Sequence, residues 1–137
     1  MTQEKENKMD VVEVIATTMN NVSQIIHGMN DEAGWWTDLS TGTSMKGNQL
    51  FVASKLLMIH SEISEATEAH RKHLNDDKLP HRSGVEVELA DAMIRIFDLA
   101  GALGLDLGWA MIEKLAYNKE RADHKVANRA SEGGKTY

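Results

Sequence analysis

The stretch Val85-Glu86-Val87-Glu88-Leu89-Ala90-Asp91-Ala92-Met93-Ile94-Arg95-Ile96-Phe97-Asp98-Leu99 decides the fold. Its apolar residues do not alternate, so it reads as a helix that runs to about Leu103 and is closed by Gly104. Val85, Val87, Leu89, Met93, Ile94, Ile96, Phe97 and Leu99 clothe it almost all round, which predicts a largely buried helix. At about 100° per residue, Glu88, Asp91, Arg95 and Asp98 nevertheless share one stripe about 80° wide. Carboxylates on a buried helix must be paired or bind metal, because an isolated buried charge costs many kcal/mol.

The preceding helix, from about Asn48 to Asn75, supplies the matching half. Val52, Leu56, Ile59, Ile63 and Ala66 draw its apolar arc; Glu62 falls inside that arc, Glu65 at its edge, and Glu68 outside. Glu62-x-x-Glu65 and Glu88-x-x-Asp91 each place two carboxylates on one helical face. A lone pair of this kind is ordinarily a solvated acidic face, here with Arg95 as its ion-pair partner. Two pairs on apolar helices joined by a turn make a hard-oxygen site suited to Mg²⁺, with Mn²⁺ as a substitute. No histidine follows a glutamate by three positions, which disfavours a carboxylate-bridged di-iron bundle. Asp98 is left with two roles, orienting Arg95 or reaching a further metal.

Outward from this hairpin the chain stays helical. A first helix spans about residues 9–29, with His27-Gly28 as a stop signal. Residues 30–47 are rich in Gly, Ser, Thr and Asp and read as a long loop of the kind that is usually functional. A turn holding Pro80, the only proline, separates the two acidic helices. A fourth helix runs from about Leu107 to Lys125, and residues 126–137 read as a flexible tail. No strand pattern, repeat or second-domain boundary interrupts this order, so the expectation is a single all-α domain over residues 1–137, built as a four-helix bundle.

On the fourth helix, Lys114, Asn118, Arg121 and Lys125 cluster within about 60° of one face. Such a stripe suits a phosphate chain, although a solvated basic face complementing the helix dipole explains it equally well. In the loop, Trp35 and Trp36 are adjacent and cannot both point the same way; one packing inward and one stacking on a base is set against both anchoring the loop. Trp109 reads as core or interface. His60, His70, His73 and His81 read as surface histidines, with His60 near the pocket, and the eight methionines as adaptable packing.

Composition bounds the chemistry. Of the 137 residues 42% are hydrophobic and 26% charged, which argues against wholesale disorder. The absence of cysteine removes disulfides, thiolate zinc sites and cysteine nucleophiles. A formal charge of −6 disfavours nucleic-acid polymers, whose phosphates require a positive surface, while leaving room for small phosphorylated ligands bridged by metal. The first residues lack the apolar stretch of a secretory signal. The most apolar window, residues 93–112, carries Arg95, Asp98, Asp106 and three glycines, unlike a membrane span. A cytoplasmic protein with no membrane partner is the expectation.

These motifs resemble those of the MazG-like all-α nucleoside triphosphate pyrophosphohydrolases. The likeness rests on Lys55-Leu56-Leu57-Met58-Ile59-His60-Ser61-Glu62-Ile63-Ser64-Glu65-Ala66, on Glu88-Leu89-Ala90-Asp91-Ala92 after residues 66–87, and on Lys114-Leu115-Ala116-Tyr117-Asn118 with Arg121. A glycine-lysine tail also matches. The resemblance covers about residues 50–125 and no motif before residue 48. It implies hydrolysis of a (deoxy)nucleoside triphosphate to the nucleoside monophosphate and pyrophosphate. It further implies Glu62, Glu65, Glu88 and Asp91 as Mg²⁺ ligands, with Glu65 as the group taking a proton from water. Lys114, Asn118 and Arg121 would hold the phosphate chain, and Lys55 joins them as substrate-binding. Trp35 and Trp36, outside the matched stretch, are counted with the substrate-binding residues on their own stacking reading. The family includes house-cleaning and dUTP- or dCTP-selective enzymes. A related subclass hydrolyses phosphoribosyl-ATP, and the extra helix and tryptophan loop here argue against that one. A homodimer or homotetramer would hide the apolar third helix, as in family members whose sites form between subunits; the other way to cover it is by the first helix and loop. The alternative to catalysis is a non-catalytic helical module that senses nucleotide or binds another protein.

Overall fold

The computed structural model describes residues 3–136, with side chains from residue 11 onward. It is mostly helical, as expected: α1 (Gln3–Glu32), β1 (Thr37–Asp38), β2 (Thr43–Ser44), α2 (Gln49–Lys72), α3 (Gly84–Ala102), α4 (Leu107–Glu120), a 3-10 turn (Ala122–His124) and α5 (Val126–Arg129). Among the described residues no helix is long and apolar enough to cross a membrane. The chain divides into two compact units, one comprising Asn21–Leu105 and the other the part of α1 up to Asn20 together with the chain from Asp106.

In the first unit α2 and α3 form an antiparallel hairpin. Asn48 caps α2 by accepting from the Phe51 N–H, and Ser83 caps α3 by accepting from the Glu86 N–H. α2 ends where His73 turns left-handed at φ 53°, and α3 ends before Gly104 at φ +64°. Small buried residues, Ala66 and Ala69 on α2 and Ala92 on α3, let the two helices close. α1 approaches α3 closely at Gly101. A Cβ on Gly101 would lie 2.5 Å from the His27 Cβ and 2.7 Å from the Ser23 carbonyl oxygen, so glycine is required there.

Several boundaries differ from the sequence reading. α1 runs through His27-Gly28 to Glu32. One glycine costs a helix only about 1 kcal/mol, and the burial of His27 against α3 outweighs it. The loop expected over residues 30–47 contains a two-stranded hairpin pairing Thr37 with Ser44 and Asp38 with Thr43. Its turn is tied by Asp38, which accepts from the Ser40 N–H at 2.9 Å and the Ser40 hydroxyl at 2.6 Å. α3 is not buried all round: Leu89, Met93 (55% exposed) and Ile96 lie on a face left to solvent.

In the second unit Gly108 sits against α1, where its N–H donates to Asn20 Oδ1 at 2.8 Å. Asn20 also donates to Asp106, the N-cap of α4. Trp109, expected in a core or interface, is 39% exposed. α4 stops at Glu120 rather than Lys125, because Arg121 turns extended and forks onto Asp123, Nε to Oδ1 at 2.9 Å and Nη2 to Oδ2 at 2.6 Å. The basic stripe is therefore broken, with Arg121 and Lys125 lying beyond the helix that carries Lys114 and Asn118. The tail contains one helical turn, α5, and the Arg129 Nε donates to the Lys135 carbonyl.

Candidate metal centre and adjoining cleft

Helical spacing brings Glu62 and Glu65 of α2 to face Glu88 of α3, each with a carboxylate oxygen within 4.8 Å of the others. Glu62 is buried, Glu88 half-buried and Glu65 exposed, so the cluster grades from core to solvent. Arg95, two turns after Glu88, donates its Nε to Glu62 Oε1 at 2.5 Å. Among the described residues Arg95 is the one cation paired with this cluster, and it reaches Glu62 alone. The imbalance is felt at Glu88, whose carboxyl is pushed above its ordinary value by burial first, then by the charge of Glu65, by Glu62 and by Asp91. Asp91, the fourth expected ligand, stands outside the group of three and lines the neighbouring cleft.

That cleft, of about 770 Å³, lies within the same unit and is lined by the loop after α1, the start of α2 and the middle of α3. Trp35, 65% exposed, lines it together with Thr37, Phe51, Lys55, Ile94, Arg95 and Asp98. Lys55 donates to the Trp35 carbonyl at 3.2 Å, and its ammonium lies 4.7 Å from the Trp36 ring centre and 5.1 Å from that of Phe51. Desolvation holds this lysine below its ordinary value, against the opposing pull of Asp98.

Trp36, grouped with the base-binding residues from sequence, is 0% exposed and is not among the residues lining this cleft. It packs edge-on to His27 and to Phe51, and its Nε1 donates to Asp98 Oδ1 at 2.8 Å. Asp98, only 4% exposed, neither orients Arg95 nor joins the carboxylate cluster. Its Oδ1 also lies 3.0 Å from His27 Nδ1, which carries the proton because an ionised carboxylate only accepts. The His27–Asp98–Trp36 node was missed because a histidine beside a glycine reads locally as a helix stop. Its partners lie on two other segments of the chain.

No protein-family model, curated protein or solved structure matches the chain. The chemistry is therefore read from the side chains themselves. Of the remaining expected site residues, Lys114 lies over the Tyr117 ring at 4.7 Å and Arg121 is paired with Asp123. Asn118 buries its Oδ1 without a partner among the described residues. All three belong to the second unit. His60, His70, His73 and His81 are exposed, as expected.

Proposed function

We propose that the protein is a metal-dependent hydrolase that cleaves nucleoside triphosphates between the α- and β-phosphates, releasing the nucleoside monophosphate and pyrophosphate. The observation that carries this reading is the Glu62–Glu65–Glu88 cluster: three convergent carboxylates of which, among the described residues, only Glu62 has an ion-pair partner, Arg95. The donor set is all hard oxygen and its excess negative charge is what a divalent cation offsets, so the residues fit Mg²⁺ or Mn²⁺. Glu62, Glu65 and Glu88 would hold the ion, with Asp91 completing the set from the cleft side. Bound there, the metal would neutralise phosphate charge and lower the pKa of a coordinated water.

The chain's own groups divide the remaining work. Glu62 is buried and engaged by Arg95 and Glu88 is half-buried, which leaves the exposed Glu65 to take the proton of the attacking water. Water adds to the α-phosphorus as the bond to the bridging oxygen breaks, and pyrophosphate departs with the bonding electrons. Trp35 offers a ring face to the base and Lys55 a charge to the ligand. Holding the phosphate chain through Lys114, Asn118 and Arg121 rests on the sequence likeness to MazG-like enzymes alone. The proposed setting is the cytoplasm, and the proposed assembly a homodimer or homotetramer. The exposed Leu89, Met93 and Ile96 on α3 support a second copy as the cover, and light scattering that returns a monomer would remove this part.

Each common NTP and dNTP, incubated with Mg²⁺ and resolved by chromatography, should yield monophosphate and pyrophosphate from at least one. Release of diphosphate and orthophosphate would refute the reaction type. Glu62→Gln and Asp91→Asn should abolish turnover with helical content near wild type, and Glu65→Gln should lower it by about 10²–10⁴. No hydrolysis and no metal-dependent thermal shift would favour a non-catalytic module.

A further inference from the structure

Asp98 is a buried carboxylate with unequal oxygens. Oδ1 faces two ring N–H groups, those of His27 and Trp36, whereas among the described residues no hydrogen bond reaches Oδ2. Among the described side chains the only fully enclosed polar atom without a partner is Asn118 Oδ1. Asp98 Oδ2 therefore keeps its residual exposure, and Asp98 is a lining residue of the cleft. Lys55 lines the same cleft, and its ammonium feels the charge of Asp98. Yet the two do not form an ion pair within 4.0 Å. An acceptor and a donor thus face one cleft with a gap between them, beside the exposed ring of Trp35.

We propose that Asp98 and Lys55 are the specificity determinants of this cleft, reading the base of a nucleotide whose exocyclic amino group lies next to an unprotonated ring nitrogen. The inference rests on the nucleotide reading above and deepens it. Asp98 Oδ2 accepts from the amino N–H, and Lys55 donates to the ring nitrogen. Because Oδ1 is already occupied, a single carboxylate oxygen is available, which suits one exocyclic N–H. The ring N–H of uracil or thymine lies between two carbonyl groups, whose lone pairs would face the carboxylate and repel it. Cytosine and adenine present the matching edge. His27 and Trp36 act as positioning residues, holding Oδ1 between their rings and so fixing the direction of Oδ2.

Binding of dCTP against dUTP, and of dATP against dITP, to the full chain with Ca²⁺ in place of Mg²⁺ tests this by calorimetry. The members of each pair differ at the amino position. Preference for the amino member by about tenfold or more in at least one pair is expected, as a site with a buried unpaired acceptor disfavours a ligand lacking the donor. Asp98→Asn, which replaces an acceptor-only group by an amide, should bring that ratio towards one. Lys55→Met, at a half-buried position less critical to folding, should narrow it as well. Parity or reversal in both pairs, or a preference undiminished in Lys55→Met, overturns the proposal while hydrolysis in the nucleotide panel leaves the proposed reaction standing. Failure of every nucleotide to bind, together with no hydrolysis, removes both.

Discussion

Glu88 and Asp98 stand on the same stripe of α3 and meet opposite surroundings. Asp98 is almost wholly buried, but two ring N–H donors converge on its Oδ1 and satisfy it. Glu88 is less buried, yet burial without a compensating donor first, and then the charges of Glu65, Glu62 and Asp91, push its carboxyl above the ordinary value. Burial of a carboxylate is therefore not what marks a ligand site. An excess of like charge that the protein leaves uncompensated is the better mark, because only a ligand from outside relieves it.

The largest expected effect comes from breaking the satisfied member. Asp98→Ala strands the Trp36 Nε1–H and His27 Nδ1–H in the core, each orphaned donor costing about 1–3 kcal/mol. Urea unfolding should show a loss of about 2–5 kcal/mol. A loss close to zero would mean that Asp98 does not hold α1, the turn after it and α3 together.

The opposite sign is expected at the frustrated member. Glu88 has a folded pKa above its ordinary value of 4.5, so the folded chain binds its proton more tightly than the unfolded chain does. Stability from this group is then highest at low pH, falls as pH rises from 4.5 to the raised value, and stays reduced above it. Glu88→Gln removes that decline. Thermal unfolding across about pH 4–8 without divalent metal should find the variant more stable than wild type at the alkaline end, with the difference shrinking towards acid. Adding Mg²⁺ should reverse the order, since metal stabilises the protein that binds it. A variant that loses stability at neutral pH without metal would show that Glu88 is not under repulsion.

The same contrast explains what was legible in the sequence. Helical periodicity fixes which side chains share a face, and the spacing of Glu62, Glu65 and Glu88 follows from it; both helices and their convergence could be read directly. The Asp98 node could not, because its three members come from α1, the turn that follows it and α3, and no local pattern records that His27 and Trp36 reach the same oxygen. The α4 stripe failed for a related reason. Extending the helix to Lys125 presumes that nothing competes, whereas the Arg121–Asp123 fork ends the helix after Glu120. The burial of α3 was overestimated because hydrophobicity all round states a need for cover without saying that one chain supplies it, as Leu89, Met93 and Ile96 show.

The smallest stability effect is expected where adjacent, identical residues have been given different work. Trp36 is enclosed by His27, Phe51 and Lys55, and Trp36→Phe loses its bond to Asp98, for a cost of about 1–3 kcal/mol. Trp35 contributes its carbonyl to Lys55 while its indole lies open in the cleft, so Trp35→Ala preserves the backbone contact and removes only exposed surface. Its stability should stay within about 0.5 kcal/mol of wild type. Nucleotide binding measured by calorimetry should nonetheless weaken by about tenfold, as loss of one base-stacking ring typically costs 1–3 kcal/mol. If Trp35→Ala instead destabilised the fold as much as Trp36→Phe, both indoles would be anchors of the loop, and the open wall of the cleft would lose its role in binding.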